Sequence, residues 1–310
     1  MFLFFVSSVF AAEPVYQQPS EDIQAILDAG SPPAVMVSPD RRWMLELERP
    51  SLRPLSELAE PEVKVAGIKI NPDTNGPARE YAYRAIELRN MASARKAKRV
   101  NVELPDGARV RNVDWNFDSS GFSFTLTQSN GIELWYAEVP SGAVKRLTGP
   151  VLNAAYGSPC DWLPGDRGLI CKRVPSDRDE APKASRVPTG PVIDENLGRK
   201  APARTYSNLL KSPHDEALFE HYLQSELVRV SLDGTVTKLI DADIVDEATP
   251  SPDGDWLMVK TLHRPWSYHV SASRFPTTMK VVRIDEPSQI IPIEQLPLAD
   301  DIPIARGAVR

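Results

Sequence analysis

The turn sequence SPDRRW at residues 38–43 returns as SPDGDW at residues 251–256. Residues 116–122, NFDSSGF, match residues 163–169, LPGDRGL, in the same manner, and an apolar segment follows each of the four turns. Serine, aspartate, proline and glycine favour tight turns, because their side chains or ring geometry suit a bent backbone. The four segments therefore predict one kind of turn that recurs along the chain.

The spacing of these turns predicts a repeat architecture. Their starting points are separated by 78, 47 and 88 residues. The three intervals fit two units, one unit and two units, respectively, of roughly 40–47 residues each. A four-stranded propeller blade has this length. Apolar side chains alternate with polar ones near the turns, which is typical of half-buried strands. The alternating sets are Val113, Trp115 and Phe117; Phe122, Phe124 and Leu126; Ile132, Leu134 and Tyr136.

The predicted fold class is all-β, an incomplete β-propeller with four to five blades of a seven-bladed ring, over residues 34–310. A second turn supports it, because SGAVKRL at 141–147 recurs as DGTVTKL at 233–239, each after an apolar strand. Prolines and charges interrupt the pattern at 175–226. A loop this long in a compact domain is commonly a lid or a contact surface, so we expect an insertion. Its last part, residues 215–224, has the composition of a helix.

The N-terminus predicts export. Residues 1–12 read MFLFFVSSVFAA, an apolar run closed by small residues and too short to span a bilayer, which takes roughly 20 apolar residues. We interpret it as a signal peptide cleaved after Ala11 or Ala12, and expect a periplasmic or secreted protein with no membrane contact after cleavage. Residues 13–33 contain a short helix, with Ser20 as its cap and an apolar face that must dock elsewhere.

The two cysteines, Cys160 and Cys171, flank a predicted hairpin that turns at residues 165 and 166. In that register the cysteines lie opposite each other, and opposed Cβ atoms of a non-hydrogen-bonded pair are roughly 4.5–5.5 Å apart. A disulfide is expected in an oxidising compartment. Two buried free thiols that face one core are the alternative.

Charge and composition exclude a nucleic-acid surface. The net charge is −6, and the densest basic stretch, Arg95, Lys96, Lys98 and Arg99, contains no aromatic residue and is expected to be solvated. His214, Glu216 and His221 invite a metal interpretation, but the two histidines are seven residues apart rather than four. We therefore predict no metal ligand and no cofactor.

The sequence predicts a structural role for two further sets of residues. Aspartates in the turns, Asp40, Asp118 and Asp253, are expected to accept hydrogen bonds from nearby backbone N–H groups, with calcium binding as the alternative. The strand tryptophans are interpreted as core, with a sugar-binding platform as the alternative. They are Trp43, Trp115, Trp162 and Trp256; Trp266 is expected to be more exposed.

Several irregular stretches resemble the N-terminal half of the glutamyl endopeptidase branch of the prolyl oligopeptidase (S9) family of serine peptidases. The resemblance runs from about Ser20 to the last residue, and its most specific part is in the insertion. The stretches are residues 33–48, 55–59, 65–68, 71–76, 203–206, 209–211 and 213–220. It implies a propeller that restricts access of peptide substrates to a following α/β-hydrolase domain, which carries Ser, Asp and His.

No catalytic residue is predicted in this chain. A nucleophile elbow needs Gly-x-Ser-x-Gly, because only glycine fits the crowded turn, and no two of the 16 glycines are four residues apart. We therefore expect the non-catalytic propeller portion of an exported peptidase, inactive alone, whose partners are peptide substrates and its own missing hydrolase domain. The alternative is a stand-alone propeller-like protein that binds peptides or carbohydrates.

Overall fold

The computed structural model describes residues 18–93, 99–185 and 206–302. The predicted signal peptide, most of the basic stretch and residues 203–205 of the insertion motif lie outside these ranges. The described residues form three α-helices, namely α1 (Glu21–Asp28), α2 (Leu55–Leu58) and α3 (Pro213–Leu223). All three are short. Strands therefore dominate the regular structure, and the predicted all-β class is confirmed.

Eighteen strands are present in the described part of the chain. The first nine are β1 (Ala34–Val37), β2 (Trp43–Leu47), β3 (Val63–Val65), β4 (Ile68–Asn71), β5 (Gly76–Pro77), β6 (Ile86–Asn90), β7 (Arg99–Asn101), β8 (Val110–Trp115) and β9 (Gly121–Gln128). The others are β10 (Gly131–Glu138), β11 (Val144–Arg146), β12 (Cys160–Trp162), β13 (Leu169–Arg173), β14 (Gln224–Val230), β15 (Val236–Pro250), β16 (Trp256–Leu262), β17 (Thr277–Arg283) and β18 (Ile290–Leu296).

Fifteen of these strands form four propeller blades, and the other three, β3, β4 and β5, form a separate antiparallel sheet in the first insertion. Blade 1 is the antiparallel sheet β1-β2-β6-β7, and blade 2 is the sheet β8-β9-β10-β11. Blades 3 and 4 together form one seven-stranded sheet, β12 to β18 in chain order. They share β15, because its first half pairs with β14 and its last part, Ile244–Pro250, pairs with β16. The incomplete propeller predicted from the sequence is confirmed.

Each of the four SPD-type turns joins the first strand of a blade to its second strand, so one turn marks one blade. The prediction that the intervals of 78 and 88 residues each hold two units was wrong. Each holds one blade that is lengthened by an insertion between its second and third strands: residues 48–85 in blade 1 and residues 174–223 in blade 3. The predicted insertion boundary of 226 was three residues late, because β14 begins at Gln224. Phe117 belongs to the turn rather than to a strand and is exposed.

Successive side chains along the second strand of a blade point to opposite faces of the sheet, so this strand contributes to the cores on both sides of the blade. We call the face toward the next blade in chain order the forward face, and the opposite one the rear face. Leu45 and Leu47 lie on the forward face of blade 1 and meet Phe122 and Phe124 on the rear face of blade 2. In blade 3, Leu169 packs back onto blade 2, whereas its neighbour Ile170 packs forward onto blade 4. Period-2 patterning thus builds a stack in which blades 2 and 3 are covered on both sides and blades 1 and 4 are each covered by one described neighbour.

Three apolar cores lie between the consecutive blades. The core between blades 1 and 2 is centred on Leu45, Leu47, Ile86, Leu88, Phe122, Phe124 and Leu126. The core between blades 2 and 3 contains Ile132, Leu134, Tyr136, Trp162, Leu169, Cys171 and Val228. The core between blades 3 and 4 contains Ile170, Leu227, Val245, Leu257, Val259 and Val282.

Hydrogen bonds also join the turns of consecutive blades on one face of the stack. The backbone N–H of Asp40 donates to Ser119 Oγ at 3.0 Å, which joins the first turn to the second. The backbone N–H groups of Phe117 and Asp118 donate to the Asp166 carboxylate at 2.8 and 3.2 Å. Arg167 then reaches the Asp253 carbonyl at 2.8 Å, so the polar chain continues through all four turns.

Helix α1 has no docked face in the structure. Ser20 is at its N-cap position, as predicted, although its side chain makes no capping hydrogen bond. Ile23, Ile26 and Leu27 are 51, 74 and 63% exposed. The expectation that this apolar face docks on another element is therefore not met among the described residues.

Candidate functional site

Carboxylates occupy the inner strands of blades 2, 3 and 4. The inner strand is the first strand of a blade, and Trp162 on β12 donates its Nε1–H to the Asp114 carbonyl on β8 at 3.3 Å. Strand β12 also lies against β15, which brings the inner edges of the three blades together. We call Asp114, Asp161, Asp246 and Glu247 the axial carboxylates, because β8, β12 and the last part of β15 carry them.

The axial carboxylates influence one another electrostatically. Partial desolvation by the surrounding strands raises the pKa of Asp114, although the residue is solvent-exposed, and the nearby charge of Asp161 raises it further. Partial desolvation also raises the pKa of the exposed Asp161, where the Lys172 ammonium opposes the rise and Glu247 adds to it. Like charges a few ångströms apart disfavour ionisation of both groups. The three inner strands therefore form one coupled acidic row.

Two lysines lie near this row: Lys260 Nζ is 2.7 Å from Asp246 Oδ2, and Lys172 on β13 is the buried one. Its side chain is 5% exposed, on the forward face of blade 3, and its Nζ donates to the Tyr156 carbonyl. Burial lowers the pKa of Lys172 to about 8, and the charges of Asp246 and Asp161 limit the fall. A buried ammonium is costly unless carboxylates or carbonyls surround it, and this one has both.

A cavity lies between blades 3 and 4 at this point. Its volume is about 70 Å³, and its lining includes Ser158, Asp161, Lys172, Asp246 and Glu247. Water molecules or one small polar group fit a space of this size, whereas drug-sized ligands occupy roughly 300–1,000 Å³. The cavity is therefore suited to hold water molecules and polar side chains and is too small for a drug-sized ligand.

Sequence analysis did not single out these residues. The signal was present in part, because Asp114 lies between Val113 and Trp115, and Lys172 directly follows the apolar run Leu169–Cys171. Such a residue indicates either a solvent-facing strand position or a buried polar site. Only the packing of blade 4 onto blade 3 distinguishes the two for Lys172.

The two insertions meet on the face opposite the turns. The cluster there joins Val65 and Ile70 of the first insertion to Phe219 and Tyr222 of α3 and to Phe275, which precedes β17. Hydrogen bonds reinforce the contact. Asn75 and Asn153 both donate to the Tyr222 carbonyl, at 3.2 and 3.0 Å, and the Gly67 N–H donates to the Asn208 carbonyl at 2.8 Å. The predicted insertion is thus a cap fixed to blades 1, 3 and 4.

Trp266 packs into this cap. Its ring centroid is 5.0 Å from that of Phe219 and 5.2 Å from that of Phe275. Its Nε1–H donates to Glu220 at 2.8 Å. Trp266 is half-buried, and thus more exposed than Trp115 and Trp162, because the connection before β17 folds over α3 and covers one part of its ring.

The carboxylates of α3 are committed to hydrogen bonds. Arg264 donates to Glu216 at 2.6 Å and to Glu220 at 2.7 Å, one helical turn apart, and Tyr268 also donates to Glu216 at 2.6 Å. His221 instead packs edge-on against the Tyr222 ring. Within the described residues, no group of three or more His, Cys, Asp or Glu is placed to hold a metal ion. These hydrogen bonds hold α3 to the connection before β17, so we interpret their role as structural.

The turn aspartates behave as predicted. Oδ1 of Asp40, Asp118 and Asp253 accepts the backbone N–H two residues ahead, at 3.0, 2.8 and 3.1 Å. Hydrogen bonds from a serine side chain lower the pKa of Asp40 and Asp253, and the backbone bond acts in the same direction. The aspartates therefore fix the turns that mark the blades.

Two of the four strand tryptophans are core residues. Trp115 and Trp162 are 7 and 5% exposed, inside the cores of consecutive blades. Trp43 and Trp256 are half-buried at the start of their strands. The four side chains thus do not form one exposed aromatic platform.

Cys160 and Cys171 are opposite each other in the β12–β13 register. Their Sγ atoms are bonded, and the bridge closes a segment with a sequence separation of 11. Cys171 is fully buried in the core between blades 2 and 3. The disulfide therefore ties the inner strand of blade 3 to its second strand.

Two known proteins are similar in sequence to this chain over almost its whole length. The chain is 36% identical over 307 residues to a probable chloroplastic glutamyl endopeptidase of Oryza sativa subsp. japonica, and 34% identical over 306 residues to one of Arabidopsis thaliana. The chain is thus similar in sequence to a part of these probable glutamyl endopeptidases. The alignments cover 95% of the chain and 32% of each relative, so the chain spans about a third of their length. The resemblance to this branch of the prolyl oligopeptidase family is confirmed.

Other comparisons complete the picture of this glutamyl endopeptidase-like chain. No protein-family model matches it. Among solved structures, an acylaminoacyl peptidase of Pyrococcus horikoshii is similar at 9% identity and a TM-score of 0.45, over 87% of this chain and 33% of that one. TolB from Acinetobacter baumannii is similar at 14% identity and a TM-score of 0.36, over 88% of this chain and 56% of that one. No helix among the described residues is long and apolar enough to cross a membrane.

Proposed function

We propose that the chain is the non-catalytic substrate-access part of a peptidase of the glutamyl endopeptidase-like branch. The observation that carries this proposal is the homology itself, which covers 95% of the chain with relatives that are named probable glutamyl endopeptidases. The 310-residue sequence contains no Gly-x-Ser-x-Gly. The parent activity would be hydrolysis of peptide bonds, with a preference for acidic residues at the cleaved bond.

The structure suggests how such a part would restrict access. The four stacked blades have apolar cores between them and hydrogen bonds between their turns, so they form a rigid assembly. The cap on the other face contacts three of the blades. We expect such an assembly to exclude a folded domain. An extended peptide segment, by contrast, can follow the polar inner strands and donate its N–H groups to the axial carboxylates.

The test combines two measurements on the purified chain. We expect no labelling by a serine-directed fluorophosphonate, and we expect a flexible fluorescent peptide to gain anisotropy on titration with the chain. A folded protein that contains the same peptide sequence in a helix is the control and should not compete. Labelling of any serine would contradict the non-catalytic assignment, and absence of binding by every flexible peptide would contradict the access role.

We also propose that the protein is exported to the periplasm or the medium. The apolar N-terminal run and the bonded pair Cys160–Cys171 support this compartment. Mass spectrometry of the protein from a periplasmic extract should show a new N-terminus after Ala11 or Ala12 and a loss of two hydrogens. An uncleaved N-terminus with two free thiols would contradict it.

A stand-alone binding protein is the second candidate. The packed cores between all four described blades favour it, since the blades are supported by one another. A carbohydrate ligand on a tryptophan platform is not favoured, because Trp115 and Trp162 are buried. Binding of flexible peptides without any enzymatic partner in the same operon or reading frame would support this second function.

A further inference from the structure

The sequence contains two Asn-Gly pairs, Asn75-Gly76 and Asn130-Gly131. Asparagine is among the chemically labile residues of proteins. A glycine that follows it has no Cβ to shield its backbone nitrogen, which is therefore free to attack the carbon of the asparagine side-chain amide. The structure places the two pairs in opposite environments, so the same dipeptide is expected to react at one position and not at the other.

Both ends of the Asn75 side-chain amide are held by hydrogen bonds. Asn75 is 4% exposed, and its Oδ1 accepts a hydrogen bond from Arg178 Nη1 at 2.5 Å. Its Nδ2 donates to the Tyr222 carbonyl at 3.2 Å. Rotation of this amide toward the Gly76 nitrogen would break both hydrogen bonds, one of which comes from a charged group. Contact with the cap therefore protects Asn75 from attack.

The Asn130 side chain has no such restraint. It is exposed in the two-residue turn, Ser129 and Asn130, that joins β9 to β10. Within the described part of the chain, its side chain makes no hydrogen bond. The turn belongs to blade 2, whose neighbours on both sides are described, so its exposure is not that of an end face of the stack. The amide of Asn130 is therefore free to rotate toward the Gly131 nitrogen.

Gly131 is required by the packing of blade 2. A Cβ at this position would lie 2.2 Å from the carbonyl oxygen of Pro150, so any other residue would displace the connection that follows β11. The glycine that leaves Asn130 open to attack is thus also the residue that lets this connection approach the hairpin. The reactive pair is a consequence of the fold.

We propose that Asn130 is a site of spontaneous deamidation and that Asn75 is protected from it. The Gly131 nitrogen forms a bond to Asn130 Cγ, its proton passes to the departing amide nitrogen, and ammonia leaves behind a cyclic succinimide. Water then opens the ring at either carbonyl and gives aspartate or isoaspartate. Both products add a negative charge to the turn, and isoaspartate also adds a methylene to its backbone. The central hairpin of blade 2 therefore changes as the molecule ages.

The experiment incubates the purified chain, with its disulfide intact, at mildly alkaline pH and follows its tryptic peptides by tandem mass spectrometry. We expect Asn130 to gain the mass of an amide exchanged for a carboxyl group at least about tenfold faster than Asn75, because a hydrogen bond from a charged group restrains Asn75 by that factor or more. The matched control is the same chain in concentrated urea with its disulfide reduced. Both sites should then convert at similar rates.

Two variants test the two environments separately. Asn130→Gln should abolish the acidic species that accumulates on isoelectric focusing, because ring closure from the longer glutamine side chain is far slower. Arg178→Met removes the charged donor and should speed conversion at Asn75 while Asn130 stays unchanged. A thermal melt that matches the parent would show that Arg178→Met folds, and the comparison in urea needs no variant.

Two results would overturn the proposal. Equal rates at Asn75 and Asn130 in the folded chain would mean that the contacts of Asn75 give no protection. A preference for Asn130 that persists unchanged in urea would mean that the flanking sequence, rather than the fold, sets the rate.

Discussion

Replacement of Lys172 by methionine tests whether the cavity at the inner edge holds a buried, strained ammonium. Burial lowers the pKa of this lysine from 10.5 to about 8. Each pKa unit corresponds to about 1.36 kcal/mol, so the difference between folded and unfolded states amounts to about 3 kcal/mol. Since the folded pKa lies below the unfolded one, the unfolded chain binds more protons between the two values. The cost is therefore present in full below about pH 8 and is relieved as pH rises toward 10.5.

The assay is urea unfolding followed by tryptophan fluorescence at pH values from 7 to 10, with the disulfide kept oxidised. The parent chain should gain stability relative to Lys172→Met by about 2–3 kcal/mol across this range, of the 3 available in full. Lys211→Met, a change at an exposed lysine, corrects for the general loss of a positive charge. Parallel curves for the parent and Lys172→Met would refute the reasoning, because they would mean that this ammonium is hydrated or fully compensated by Asp161 and Asp246.

Three further changes address the packing and the turns. Phe124→Ala should cost about 3–5 kcal/mol in urea unfolding, because Phe124 is fully buried between blades 1 and 2; a loss below 1 kcal/mol would contradict that placement. Reduction of Cys160–Cys171, whose sequence separation is 11, should cost about 3 kcal/mol; an unchanged melt of the reduced protein would argue against the bridge. Asp166→Ala should cost about 1–2 kcal/mol and speed hydrogen exchange at Phe117 and Asp118, whose N–H groups it accepts; unchanged exchange would contradict the link.

The recurring turns predicted the architecture because they are local. Asp40 and Asp253 accept backbone N–H groups two residues ahead, so their geometry depends on residues that are adjacent in the sequence. The turns do not, however, determine how many blades lie between them. A long interval is equally compatible with an extra blade and with an insertion between the second and third strands, and the structure has insertions. The difference lies in which strands pair, which the turn sequences do not encode.

The site was harder to predict than the fold for a related reason. Asp114, Asp161 and Glu247 are separated by 47 and 86 residues in the sequence, and only the stacking of three blades brings their strands together. Trp266, next to Pro265 and Tyr268, is less constrained by the sequence pattern than the strand tryptophans. Its partial burial depends on α3, which belongs to another blade.

Strand β15 passes without a break from the outer edge of blade 3 to the inner edge of blade 4. The other two seams are crossed by connections, residues 102–109 and 147–159, that lie outside the named strands. Blades 3 and 4 are thus joined through the backbone of one continuous strand, whereas the two seams that flank blade 2 are held by apolar side chains and by hydrogen bonds between the turns. We expect the seam between blades 3 and 4 to be the last of the three to separate during unfolding.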